Sequence, residues 1–243
     1  MNRSDYVSAL RRHAGLMADA TANADLTTPV PSCPDWTLDD LLFHTGTVHR
    51  FWTRIADGTL TDPDTWTGAD DVPEDPAELP AWLAAGAEAA AATVEVLDPA
   101  EPRWSWSTRK DAGFIQRRLA QETAVHTWDA LDALGRDEAI ERELAADGVE
   151  EFLTVCRHET PPAGFPADGL HLHATDGPGE WTLRVAGDGT WQLLTEHAKG
   201  AVAVRGTASD LLLFLWQRRT PADLEVFGSP EDLTAAFTAF RRD

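Results

Sequence analysis

Cysteine is nearly absent from this chain: Cys33 and Cys156 are the only two in 243 residues. Two cysteines make neither a disulfide framework nor a cysteine-rich zinc site. The expected compartment is therefore the reducing cytoplasm. Apolar runs of about 18 residues are also missing, so no segment is expected to span a membrane. The N-terminal stretch MNRSDYVSALRRHAG lacks the apolar run of a signal peptide and reads as an amphipathic helix. Basic residues are scarce, 20 Lys+Arg against 41 Asp+Glu, a net charge of −21. Such a surface repels phosphate backbones and anionic lipid, which argues against nucleic-acid and membrane partners. Tyrosine occurs once, whereas tryptophan occurs ten times. Most of those indoles are expected to pack a core or line a pocket.

What is present is enough apolar material for a core: 43% of residues are hydrophobic. The length fits one large domain or two modest ones. Apolar positions Tyr6, Leu10, Ala14, Met17 and Ala18 recur near helical period over 4–22. After a Pro- and Thr-rich loop from Leu26 to Trp36, Thr37 opens a second helix. Asp40 stands there in the place of the glutamate of a capping box. That helix stops at Gly58, and 59–77 is a loop. An Ala-rich helix is expected over Leu79–Leu97 and a fourth over Gly113–Leu134, ended by Gly135. Four long helices make a four-helix bundle over 1–137.

The pattern changes beyond it. Glu138–His158 reads as one more helix, broken by Pro161, Pro162, Gly164 and Pro166. LHLHAT, EWTLRVAG, TWQLLTE and AVAVRG then alternate as strands, with turns at GPG and GDG. Ser209 is the expected cap of a helix over Leu211–Trp216, Asp223–Phe227 a short strand, and Ser229 the cap of a last helix with Asp232 at its third position. Residues 138–243 thus read as a smaller α+β domain on an antiparallel sheet.

Glu122 and His126 lie four apart in RRLAQETAVHTWDAL. Residues i and i+4 of a helix share a face, so this carboxylate and imidazole can reach one ion. Three N and O ligands with an open fourth position make a catalytic zinc site. His44, in the apolar run LLFHTGTVHRFW, is the best third ligand. His49 is roughly 140° further round the same helix and is expected to be partly exposed or to sit behind the ligands. By itself an E-x-x-x-H pair is a weak signal that an ordinary helical ion pair also produces. Cys33 reads as a small residue packed in a Pro-constrained turn, and Cys156 as structural. His171 and His173 alternate on a strand and face one side, as a surface pair or a secondary metal site.

The segment VPSCPDWTLDDLLFHTGTVHRFW, followed by RRLAQETAVHTWDAL, resembles the mycothiol-dependent maleylpyruvate isomerase family, a branch of the DinB-like metal-binding bundles. The shared pattern is Pro34–Trp36, His44, and Glu122, His126 and Asp129. GTASDLLLFLWQR is similar to the family's sterol-carrier-like second domain. The resemblance implies a zinc triad of His44, Glu122 and His126, with Asp129 accepting from a ligand histidine or handling a proton. It implies an arginine from the second domain that clamps a substrate carboxylate, Arg218 first and Arg205 second. It also implies mycothiol as thiol cosubstrate, and a cis–trans isomerase or thiol S-transferase acting on a small molecule. A non-catalytic metal- or small-molecule-binding protein is the alternative. Nickel, cobalt or iron also suit this ligand set, and nothing in the residues fixes the oligomeric state.

Overall fold

The structure is a computed structural model and describes residues 1–240. The chain divides into two units, Met1–Glu138 and Ala139–Asp243.

The first unit is built on α1 (Arg3–Thr21), α2 (Leu38–Ala56), α3 (Leu79–Glu95) and α4 (Ala112–Ala133). Local chemistry sets their starts. Asn2 and Asp5 form a reciprocal box at α1, Asp40 accepts from the Thr37 backbone N–H at α2, and Asp111 accepts from the Phe114 N–H at α4. Each satisfies donors that a helix N-terminus leaves free. The stops are equally local: Gly58 and Gly135, just past α2 and α4, take positive φ (80° and 74°), which glycine adopts without strain. The 59–77 loop carries one 3-10 turn, Pro63–Thr65, and the start of another, Pro76–Glu78, which leads into α3.

α1 packs on α4 and α3, and α2 on α3 and α4, around Leu10, Met17, Leu41, Leu42, Leu83, Ile115 and Leu119. α2 and α3 approach closely. A Cβ on Gly46 would lie 2.1 Å from the Trp82 ring. Arg50 stacks over the other part of this contact, its guanidinium carbon 3.8 Å from the Trp82 ring centroid and its N–H groups on Asp71. This packing fixes the rotation of α2, and with it the direction of His44.

The second unit holds α5 (Arg142–Val155), β1 (Leu170–Ala174), β2 (Glu180–Val185), β3 (Trp191–Leu194), β4 (Val202–Gly206), α6 (Ala208–Leu215), β5 (Glu225–Phe227) and α7 (Pro230–Phe237). The strand order is β3-β2-β1-β4-β5. The sheet is mixed and not antiparallel as expected, because β4 pairs parallel with β1 while the other ladders are antiparallel. Alternating residues read the same in either ladder, so the pattern could not distinguish them. Leu170, Leu172, Trp181, Leu183, Val202 and Val204 share one buried face, against which α6 packs. His171, His173, Thr182 and Glu180 stand on the opposite face.

Thr207, not Ser209, caps α6 through the Asp210 N–H. Ser209 is inside the first turn and buried, and its hydroxyl accepts from the Ile140 N–H at 3.0 Å. Ser229 caps α7, with Asp232 at the third position. No helix among the described residues is long and apolar enough to cross a membrane.

Candidate metal centre

α2 supplies His44, and α4 supplies Arg118, Glu122, His126 and Asp129 at spacings of four, four and three. Those spacings stack the four side chains along one face of α4. One ligand atom each from His44, Glu122 and His126 lies within 4.8 Å of the other two. Glu122 is the hinge of the cluster. Its Oε1 is 3.4 Å from His44 Nε2 and 3.2 Å from His126 Nε2, while its Oε2 accepts from Arg118 at 2.9 Å. The buried guanidinium thus holds one oxygen and leaves the other facing both imidazoles.

His126 Nδ1 donates to Asp129 Oδ2 at 2.9 Å. That bond turns Nε2 toward Glu122 Oε1 and toward His44, whose ring is edge-on at 5.1 Å. Asp129 is fully buried and also accepts from Ser32 Oγ (2.6 Å) and Cys33 Sγ (3.6 Å). The turn that brings these two is closed by backbone bonds, Cys33 N to Val30 O and Trp36 N to Cys33 O, with Asp35 at φ 69°. Trp36 then lies 4.8 Å from the His44 ring and walls the cluster. The side chains open progressively to solvent, 11% exposed at His126, 21% at Glu122 and 36% at His44.

Charge follows this geometry. Burial disfavours a charged His126, but Asp129, Cys33 and Glu122 outweigh it and hold its pKa well above the usual value. Burial likewise works against the Glu122 carboxylate, and Arg118 with the two histidines overcomes it, keeping its pKa well below the usual range. A metal ion fits these residues. His126 Nε2, turned to a carboxylate oxygen that also faces His44, is where an ion would replace a proton, and Asp129 is the outer partner a ligand histidine requires. Cys33 groups with His126 and Asp129 and not with His44 and Glu122. The triad would therefore offer three protein ligands, the number of a catalytic zinc site.

Family models now apply to both units. Residues 7–131 match the model described as the mycothiol maleylpyruvate isomerase N-terminal domain, and 143–235 match the MDMPI C-terminal domain. The chain belongs to the mycothiol maleylpyruvate isomerase family. This is an enzyme family, and the His126 cluster lies within the matched N-terminal domain. No curated protein matches the chain. Among solved structures it is similar to the mycothiol-dependent maleylpyruvate isomerase (TM-score 0.58, 14% identity) and to a His-to-Ala mutant of that enzyme (TM-score 0.62, 12% identity). Each comparison covers 95% of this chain and 96% of the other. At these identities the likeness establishes the fold.

The remaining candidates are placed as follows. His49 is fully buried rather than partly exposed, with Nε2 2.8 Å from Thr123 Oγ1. Burial, and then Arg50, push its pKa down to about 4, so it stays neutral at physiological pH. Arg205 pairs with Glu225 at 2.9 Å, and Arg218 Nη1 donates to Trp216 O at the end of α6. Sequence reasoning missed Arg118, Ser32 and the approach of Cys33. Arg118 was readable, since it stands four residues before Glu122 on the same helical face. The other two depend on a turn whose closure no spacing reveals.

Proposed function

We propose that this chain is a zinc-dependent enzyme with mycothiol as thiol cosubstrate, acting as a maleylpyruvate isomerase-like cis–trans isomerase or a thiol S-transferase on a small electrophile. The observation that carries the reading is Glu122 Oε1 facing two imidazole nitrogens while Arg118 occupies the other oxygen. His44, Glu122 and His126 would hold the ion. When bound, zinc supplies the charge that keeps a thiol deprotonated at neutral pH.

The residues around it do the rest. Asp129 fixes the tautomer and direction of His126, and Ser32 and Cys33 fix Asp129. Trp36 shields one side of the His44 ring. Arg218 is the first choice to clamp a substrate carboxylate, and Arg205, whose guanidinium pairs with Glu225, the second. In the isomerase reaction the thiolate adds to one alkene carbon, and the electron pair moves to the conjugated carbonyl as an enolate. The former double bond rotates, and expulsion of the same thiolate restores it as trans, with no net use of thiol. In the transferase reaction the thiolate displaces or adds and stays attached. Both belong to the reducing cytoplasm, where Cys33 and Cys156 stay out of disulfides.

The test is turnover of maleylpyruvate by purified, zinc-loaded protein with and without mycothiol. Mycothiol-dependent formation of the trans product supports the isomerase. A stable mycothiol adduct with a small electrophile, without isomerisation, supports the transferase. No thiol-dependent chemistry with either substrate overturns the proposal. In an active enzyme, Arg218→Lys should raise KM more than it lowers kcat.

A further inference from the structure

We propose that the second unit carries a separate site for a divalent metal of zinc type, formed by His171, His173, Glu180 and His197 on the sheet face away from α6. It is independent of the His126 cluster and of the reaction assigned to it.

One ligand atom from each of the four lies within 4.8 Å of the others. Two atoms bound to one tetrahedral zinc sit about 3.4 Å apart at the usual Zn–N distance. Closing the difference takes up to about 0.7 Å from each side, and His197, 79% exposed, has the most room to move. The sheet register sets three of the four. His171 pairs with Thr182 and His173 with Glu180 across β1 and β2, so the two imidazoles and the carboxylate project side by side. Glu180 already binds both outer rings, His173 Nδ1 on Oε1 at 3.0 Å and His197 Nδ1 on Oε2 at 2.9 Å. A cation entering there replaces protons that the carboxylate now shares with two imidazoles.

His171 is oriented as a ligand. It is buried, and its Nδ1 is 2.8 Å from the Thr182 hydroxyl, itself fully buried. Donation from Nδ1–H to that hydroxyl leaves the Nε2 lone pair for a metal, the outer-partner arrangement of metal-binding histidines. Arg205, a positive charge paired in register with His173 on β4, has its guanidinium on Glu225 of β5.

Topology explains how His197 reaches this face. β3 and β4 run in the same direction with β2 and β1 between them, so residues 195–201 must both cross the sheet and return along it. Three strand spacings are about 14 Å, and the return along a short strand is nearly as long. Seven residues can span at most about 24 Å, so this connection is close to taut. His197 sits in its middle. Four protein ligands, three imidazoles and a carboxylate, close a tetrahedral site. The metal would therefore fasten the crossing segment to β1 and β2 and hold no substrate.

The experiment titrates metal-free, full-length protein with Zn²⁺ under chelator competition, in wild type and in His126→Ala and His44→Ala, each of which removes a ligand of the proposed catalytic centre. One equivalent is expected to persist in both variants. Adding His197→Ala or His173→Gln, both at solvent-accessible rings, should weaken that equivalent by more than about tenfold, the low end of what loss of an outer partner costs a metal site. Trypsin supplies a readout apart from affinity, because exposed Lys199 lies in the crossing segment. Zn²⁺ should slow cleavage after Lys199 several-fold, and His197→Ala should abolish the protection. Absence of zinc from both single variants at micromolar protein and metal overturns the proposal, as does an equivalent that neither His197→Ala nor His173→Gln weakens. Loss of the catalytic centre alone would read differently: wild type would then bind one equivalent that His126→Ala keeps and His197→Ala loses.

Discussion

The two histidine clusters of this chain solve the same problem with different materials. In the first unit, Glu122 and His126 share one helix, and both are backed by partners. Arg118 stands behind Glu122, and Asp129, with Ser32 and Cys33, stands behind His126. In the second unit the ligands come from two strands and a crossing loop, and only His171 has a buried partner, Thr182. A helix fixes ligand spacing by its own repeat, whereas a sheet fixes it by register and leaves a loop residue to close the set. As a metal site, the first arrangement would be preorganised with three ligands and suit chemistry. The second would have four and suit a clasp.

Both units also bury a histidine, and that difference gives the largest expected effect. His49 has its pKa pushed down to about 4 by burial and Arg50. The unfolded chain, at about 6.5, binds the proton more readily, so the stability His49 contributes is complete above pH 6.5 and is lost as pH falls toward 4. The full span is about 3 kcal/mol. Urea unfolding of metal-free protein between pH 7 and 4 should fall less steeply for His49→Gln than for wild type. Parallel curves would contradict the assignment.

Asp129→Asn tests preorganisation at the first cluster. It keeps the shape, removes the anionic acceptor behind His126, and should cost about 10- to 100-fold in metal affinity there. Zinc bound by His171, His173, Glu180 and His197 should be unaffected. An equal loss at both would mean that the substitution disturbs the whole chain.

Gly46→Ala probes how α2 is aimed. The new Cβ would meet the Trp82 ring at 2.1 Å, and relieving that overlap should cost about 1–3 kcal/mol in denaturant unfolding. A rotated α2 also displaces His44, so metal affinity should fall with stability. Unchanged stability would show that Trp82 moves aside freely. The smallest effect is expected at Glu225→Gln, which releases the Arg205 guanidinium beside His173. At a solvent-exposed separation of several ångströms, removing that one negative charge is worth below about 1 kcal/mol, a few-fold rise in the Kd for zinc at the second cluster.

Legibility in the sequence followed the range of the interactions. Thr37 with Asp40, Gly58, Gly135 and Ser229 act within a few residues, and the element ends they mark lie within a few residues of those positions. Ser209 misled because its hydroxyl serves Ile140, 69 residues away, leaving Thr207 as the cap. The parallel β1–β4 pair was invisible because alternation carries no strand direction. Glu122 and His126 were legible as neighbours because i and i+4 share a helical face. The apolar run around His44 was read as pointing it inward, but His44 is 36% exposed and His49 is the histidine that the run buries. The support around them was not. Ser32 and Cys33 reach Asp129 through the fold of a turn, 97 and 96 residues away in sequence. Glu180 and His197 likewise join His171 and His173 only after a hairpin and a crossing have formed.

The central claim is that His44, Glu122 and His126 hold a metal on which the chemistry depends. It is tested most directly by the metal content of protein purified without chelator, measured by elemental mass spectrometry in His197→Ala and in His197→Ala/His126→Ala, so that the second cluster is silent in both. About one zinc per chain is expected in the first, as a single triad holds one ion, and none in the second, with thiol-dependent activity lost alongside it. An unchanged metal content on loss of His126, or a metal-free single variant that zinc cannot load, would contradict it.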